Sequence, residues 1–149
     1  MRVFQGIDDL RSAVGSELGV SQWHEITQEQ IDLFAEATGD RQWIHVDPQR
    51  AAAGPFGATV AHGFLTVSLA PMLTAEVYRI DGITMGVNYG CNKIRFPAPV
   101  PVGSRVRGRV EVMSVEPASM GHQVTTKITV ELENSPKPAC VVELVALFV

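Results

Sequence analysis

The second half of the chain reads as strands with one apolar and one charged face, and this pattern limits the possible folds more than anything else in the sequence. Between Ser104 and Val115, Val106, Val110 and Val112 alternate with Arg105, Arg107, Arg109 and Glu111. Val124 to Leu132 alternates too, with Thr125, Lys127, Thr129 and Glu131 outward. A period of two with one wet face marks antiparallel strands packed on a core from one side. Ile83 to Phe96 is a longer strand with bend points at Gly86 and Gly90. Cys140 to Phe148 is apolar on both faces apart from Glu143, as in a strand covered from both sides. Met120-Gly121 and residues 134–138 supply the hairpin turns.

Such strands need a helix to wrap. Phe64 to about Tyr78 is apolar almost all round, the pattern of a helix in the middle of a domain. Pro71 removes one backbone donor within it, which predicts a kink or a local break. Upstream, Thr27 is placed as a helix N-cap with Gln30 completing a capping box. Ile31, Phe34, Ala35 and Thr38 follow at helical spacing, and Gly39 ends the helix. A buried helix and a run of antiparallel strands predict an α+β fold, an antiparallel sheet wrapped around a long central helix. The 149 residues suit a single domain over 1–149 with a sizeable core.

Charge and composition narrow the function classes. Apolar residues make up 46% and charged residues 19%, a globular balance. A net charge of −4 argues against a general nucleic-acid binder. Cys91 and Cys140 lie in strand-like segments without metal-ligand spacing and read as buried free thiols of a reducing compartment. The first residues carry acids and no signal-peptide core. The run from Phe64 to Ala75 is too short and too interrupted to span a bilayer, so no membrane insertion is expected. A cytoplasmic protein is the expectation. The four histidines have no metal-ligand spacing, and there is no glycine-rich phosphate loop, so neither a metal nor a nucleotide cofactor is expected.

From Arg41 to Val60 periodicity is lost. Pro48, Gly54, Pro55 and Gly57 mark a long overhanging segment with one helical turn near Arg50 to Ala53, and an irregular segment of this length is usually functional. It begins with Gly39-Asp40-Arg41-Gln42-Trp43-Ile44-His45-Val46-Asp47-Pro48. A carboxylate and an imidazole here can hold a water and move protons at neutral pH. Five helical steps turn through about 500°, so no regular helix aligns Asp40 with His45 and an irregular loop must bring them together. Asp47 is read as the cap of a turn starting at Pro48. Trp43 is expected to pack the overhang on the sheet, and Gln42 either meets substrate or stays solvated. His62 reads as a structural residue packed under the loop. Gly63, at the start of the apolar helix, allows close approach to an amide that lacks an intrahelical acceptor. Arg105, Arg107 and Arg109 read most simply as the solvated face of a strand, with phosphate contacts as the alternative, to which Lys93 and Arg95 are also open.

The pattern GDxxxxHxDP, then AHGF at Ala61 to Phe64 and RFPAPVPVG at Arg95 to Gly103, resembles the MaoC-like, (R)-specific enoyl-CoA hydratase family from about Trp23 to the C-terminus. Most members read GDxNPxH, whereas Gln42 and Trp43 stand at the Asn-Pro positions here. The resemblance implies a hotdog fold, a homodimer with a sheet continuous across the interface, and an acyl-CoA thioester substrate in which coenzyme A is part of the substrate. It implies reversible hydration of a (2E)-enoyl-CoA to the (3R)-3-hydroxyacyl-CoA in fatty-acid metabolism. Asp40 and His45 would be the catalytic pair, with acid and base roles open between them. The Gly63 amide would bind the thioester oxygen, and Gln42 would add a polar contact. Phe64, Leu65 and Val67 would line the acyl pocket. A hotdog acyl-CoA thioesterase and a non-catalytic acyl-CoA or acyl-carrier-protein binding subunit are the alternatives.

Overall fold

A computed structural model describes all residues from Met1 to Val149. Its main sheet has six strands, all paired antiparallel. The strands are β2 (Glu17–Val20), β3 (His24–Glu25), β5 (Gly86–Arg95), β6 (Arg105–Pro117), β7 (His122–Leu132) and β8 (Cys140–Phe148). They run in the order β2-β6-β7-β8-β5, with β3 also on β6. A second, parallel ribbon joins β1 (Arg2–Phe4) to β4 (Tyr78–Ile80). The helices are α1 (Ile7–Ser12), α2 (Gln28–Thr38), α3 (Trp43–Val46), α4 (Pro48–Ala52), α5 (Gly63–Ser68) and α6 (Ala70–Val77). No helix is long and apolar enough to cross a membrane.

The alternation seen in the sequence is the alternation of burial. Val106, Val110, Val112, Val124, Ile128, Val130 and Val142 are buried on the face turned to the helices. Arg105, Arg107 and Arg109 lie on the other face and are held by Glu133, Glu131 and Glu17. Thr125 departs from its predicted outward, wet position and is 6% exposed. A bulge between Val112 and Ser114 shifts the register there, and bulges bend the strand that carries them. Of the two thiols, Cys140 is buried as expected, whereas Cys91 is exposed because β5 is the last strand of the sheet.

The central helix is broken where Pro71 predicts. Leu69 links α5 to α6, and Pro71 occupies the first turn of α6, where a missing N–H costs nothing. Only one side of this pair is covered within the chain. Leu65, Leu73 and Val77 are buried, but Phe64 is 69% and Met72 41% exposed, so the all-round burial expected from the sequence does not hold here. Gly108 on β6 lets α6 approach closely, since a Cβ there would sit 2.8 Å from the Leu73 Cβ.

Around the overhang, α2 has the predicted capping box. The Gln30 amide donates to the Thr27 hydroxyl, and the Gln30 side chain accepts from the Thr27 amide. Gly39 closes the helix at φ 81°, in the left-handed region. The segment after it holds more structure than the sequence suggests, with α3 and α4 instead of a single turn. Asp47 caps α4 through the Arg50 amide, with Pro48 at its first position, as read from the sequence. Trp43 packs on this segment itself, under the Arg50 guanidinium at 4.4 Å and beside Gly54, rather than on the sheet.

Candidate active site

The left-handed turn at Gly39 throws Asp40 out of α2, and α3 carries His45 back towards the start of α5. One carboxylate oxygen of Asp40 and one ring nitrogen each of His45 and His62 lie within 4.8 Å of one another. His45 is 8% exposed, while Asp40 is exposed. His45 Nδ1 lies 2.6 Å from the Val60 carbonyl oxygen. A carbonyl only accepts, so Nδ1 carries the hydrogen and Nε2 of the neutral ring keeps its lone pair. Nε2 is then the atom of this ring that can accept a hydrogen bond. Asp40 Oδ1 accepts from the Gln42 amide at 3.3 Å, which leaves most of its acceptor capacity for a bound molecule.

Residues that the sequence motifs do not include fix this geometry. Gln28, at the start of α2, donates to the His45 carbonyl at 2.8 Å and to Asp32 at 2.9 Å, and its own carbonyl accepts from the Thr59 hydroxyl. The Val60 amide donates to the Ile44 carbonyl at 3.0 Å, so the segment before α5 is sewn to α3 next to His45. Gln28 sits seventeen residues from His45 with nothing in the local pattern to link them. His62 packs under the loop as expected, stacked on His45 with ring centroids 3.9 Å apart at 24°.

Gly63 begins α5, beside His62. Its amide lacks an intrahelical acceptor as a first-turn N–H. A Cβ at Gly63 would lie 3.2 Å from three atoms of the Phe96 ring. A depression of about 360 Å³ opens here, lined by Phe56, Ala61, Gly63, Thr66, Phe96 and Ala139 among others. The Gln42 side chain is exposed and makes no hydrogen bond within the protein; the residue meets Asp40 through its amide instead. Of the three residues expected along the acyl chain, Val67 lines the next groove along α5 with Pro71, Tyr89, Gly90 and Leu144. Phe64 is exposed with its ring edge towards Phe96 at 6.3 Å. Leu65 is 7% exposed and packs into the core. The arginines of β6 are committed to carboxylates, whereas Lys93 and Arg95 on β5 are exposed and form no ion pair. Of the four ring nitrogens of His45 and His62, Nδ1 of the first and Nε2 of the second donate to main-chain carbonyls, which leaves lone pairs on the other two.

An antiparallel sheet on a central helix, with a carboxylate and an imidazole on an overhanging segment at the helix start, defines a hotdog protein. The chain belongs to the MaoC-like dehydratase family: the MaoC like domain matches residues 9–134, starting upstream of the motifs and taking in part of α1, β2 and β3. It is 55% identical to 3-hydroxyacyl-thioester dehydratase Z of Mycobacterium tuberculosis over 150 residues, covering 100% of this chain and 99% of that protein. It is 49% identical to nodulation protein N of Rhizobium leguminosarum bv. viciae, covering 88% of this chain and 83% of that protein. Among solved structures it resembles the unliganded R-hydratase PhaJ1 from Pseudomonas aeruginosa, with a TM-score of 0.74 and 26% identity over 91% of this chain and 81% of that one. The chain is an enzyme of the hydro-lyase class.

Proposed function

We propose that the protein is an (R)-specific enoyl-CoA hydratase, adding water reversibly to a (2E)-enoyl-CoA to give the (3R)-3-hydroxyacyl-CoA. The observation that carries this reading is the convergence of an Asp40 carboxylate oxygen and a His45 ring nitrogen within 4.8 Å, with the Val60 carbonyl holding Nδ1 of that ring and leaving the Nε2 lone pair free. A water held between the two side chains loses a proton to His45 Nε2 as its oxygen bonds to Cβ. Electrons of the double bond move towards the thioester, whose oxygen becomes enolate-like and is met by the Gly63 amide, a donor aimed where charge develops. The acid form of Asp40, or the same water network, delivers the proton to Cα, and the two side chains can exchange these roles. No cofactor is needed for this addition. Coenzyme A is the handle of the substrate, and Lys93 and Arg95 are the unpaired cations open to its phosphates.

In this reading the protein works in the cytoplasm, as one domain over 1–149, and as a homodimer. The support for the dimer is β5, an outermost strand on which Val87, Tyr89 and the flanking Met85 and Phe96 are exposed. Contiguous exposed apolar surface on a sheet edge is a pairing site. The test is incubation with crotonyl-CoA, following the loss of enoyl absorbance, with chiral analysis of the product. Formation of (3R)-3-hydroxybutyryl-CoA is expected. Release of free thiol instead would make the protein a thioesterase, and binding without turnover would make it an acyl-binding subunit.

A further inference from the structure

His62 is 2% exposed, and its Nε2 lies 2.9 Å from the Asp40 carbonyl oxygen. The carbonyl only accepts, so Nε2 carries the hydrogen and the neutral ring keeps its lone pair on Nδ1. That Nδ1 is buried without any hydrogen-bond partner. A buried acceptor left unpaired is destabilising, and a phenylalanine would fill similar space without it, so packing alone does not account for a histidine here. What the ring touches does. Residue 40 has few other tethers: its amide reaches the Thr38 hydroxyl at 3.4 Å, and its carboxylate accepts from the Gln42 amide at 3.3 Å. The bond from His62 is the shortest of these. The same ring stacks on His45 at 3.9 Å, and the next residue in the chain is Gly63.

We propose that His62 is the positioning residue of this site, a single ring that fixes the loop bearing the acid, the imidazole bearing the base and the amide donor in one geometry. The inference rests on the hydratase reading. A neutral ring face beneath His45 also suits the imidazolium that forms when His45 takes the proton, since cations sit well over aromatic faces.

Two variants separate the ring's contacts. His62→Phe keeps a stacked ring and removes the donor to Asp40. His62→Gln keeps an amide donor near the position of Nε2 and removes the stack. With misplacement by about 1 Å able to cost on the order of 10²-fold, His62→Phe should lower kcat on crotonyl-CoA by about 10–100-fold. KM should change by less than about threefold, because the residue does not touch the substrate. His62→Gln should recover a good part of the lost kcat. A folded His62→Phe with kcat within threefold of wild type overturns the proposal. So does a His62→Gln no better than His62→Phe, with kcat, KM and thermal stability falling together, which is the mark of a packing residue. The imidazole nitrogen spectrum of the wild-type protein decides the tether independently of turnover and of variant folding. His62 should appear as the Nε2–H tautomer and His45 as the Nδ1–H tautomer, and His62 carrying its hydrogen on Nδ1 would overturn the proposal. A wild-type protein that hydrates no enoyl thioester would sink the hydratase reading while the spectrum still decides the tether.

Discussion

The Val60 carbonyl decides which nitrogen of His45 keeps its lone pair, and residue 60 belongs to no motif in the sequence. That Asp40 and His45 meet was legible, because five residues separate them and only an irregular segment can bring them together. Their supports were not, because a backbone carbonyl has no residue type and Gln28 is distant in sequence. His62 was legible as a packing residue only, since its partner at Asp40 is a main-chain carbonyl twenty-two residues away. Asp40→Asn and His45→Gln should each lower hydration by about 10²–10⁴-fold, the range for losing a positioned acid or base. The double variant should be little worse than either, because the pair acts as a unit. Steady-state rates on folded single variants check this, and near-wild-type turnover in either would remove that residue from the mechanism. Gly63→Ala tests the donor. The added methyl would lie 3.2 Å from the Phe96 ring, so the amide or the ring must move. Loss of one such donor costs on the order of 10²–10³ in kcat; a partial displacement should cost about tenfold or more, and Phe96→Leu in the same chain should recover some of it. No recovery would separate the loss from the Phe96 contact.

Elements with enough residues to show a period were readable, as the strands β6, β7 and β8 and the capped α2 show. The short ones were not. β1, β3 and α1 are 3, 2 and 6 residues long, too few for a periodic signal, and they exist through pairing with β4 and β6 and contact with the core. The overhang was recognised by its lost periodicity, and α4 by its Asp47 cap and Pro48 start, but α3 at 4 residues was not, since so short a helix is held by tertiary contacts rather than propensity. Thr27→Ala should cost about 1 kcal/mol by removing the α2 cap, readable as a lower midpoint in urea with an unchanged slope. The break at Leu69 matters for selectivity. The groove past Val67 shares Pro71, Asn88 and Leu144 with a further apolar groove of about 270 Å³ lined also by Ile83 and Phe148, so a path continues past the break. Each methylene buried along it is worth up to about 0.8 kcal/mol, and kcat/KM should climb from four-carbon to medium-chain substrates. Val67→Phe should penalise the longer chains more than crotonyl-CoA. Equal losses across a chain-length series would mean that α5 does not shape the acyl path.

At the scale of the whole molecule, the exposed side of α5 and the last strand of the sheet ask for a partner. β5 has nine of its ten residues exposed, unusual for a strand of that length in a sheet this apolar. The sequence offered only part of this. The apolar pattern of Phe64 to Tyr78 signalled burial, but a single chain cannot say whether its own sheet or a second copy does the covering. Within the chain, Phe64, Met72, Met85, Val87, Tyr89 and Phe96 are left open. Obligate homodimer interfaces are large and apolar, and pairing two β5 edges would satisfy their free backbone groups as well as cover these side chains. Sedimentation equilibrium at micromolar concentration should therefore give about twice the mass of 16.1 kDa. Tyr89→Lys puts a charge on the strand, a device that natural edges use to block pairing. It should shift the equilibrium to monomer and lower hydration with it, since the Val67 groove runs beside Tyr89 and Gly90. A wild-type monomer that is stable and fully active would refute the dimer, and the exposed face of β5 would then need another explanation.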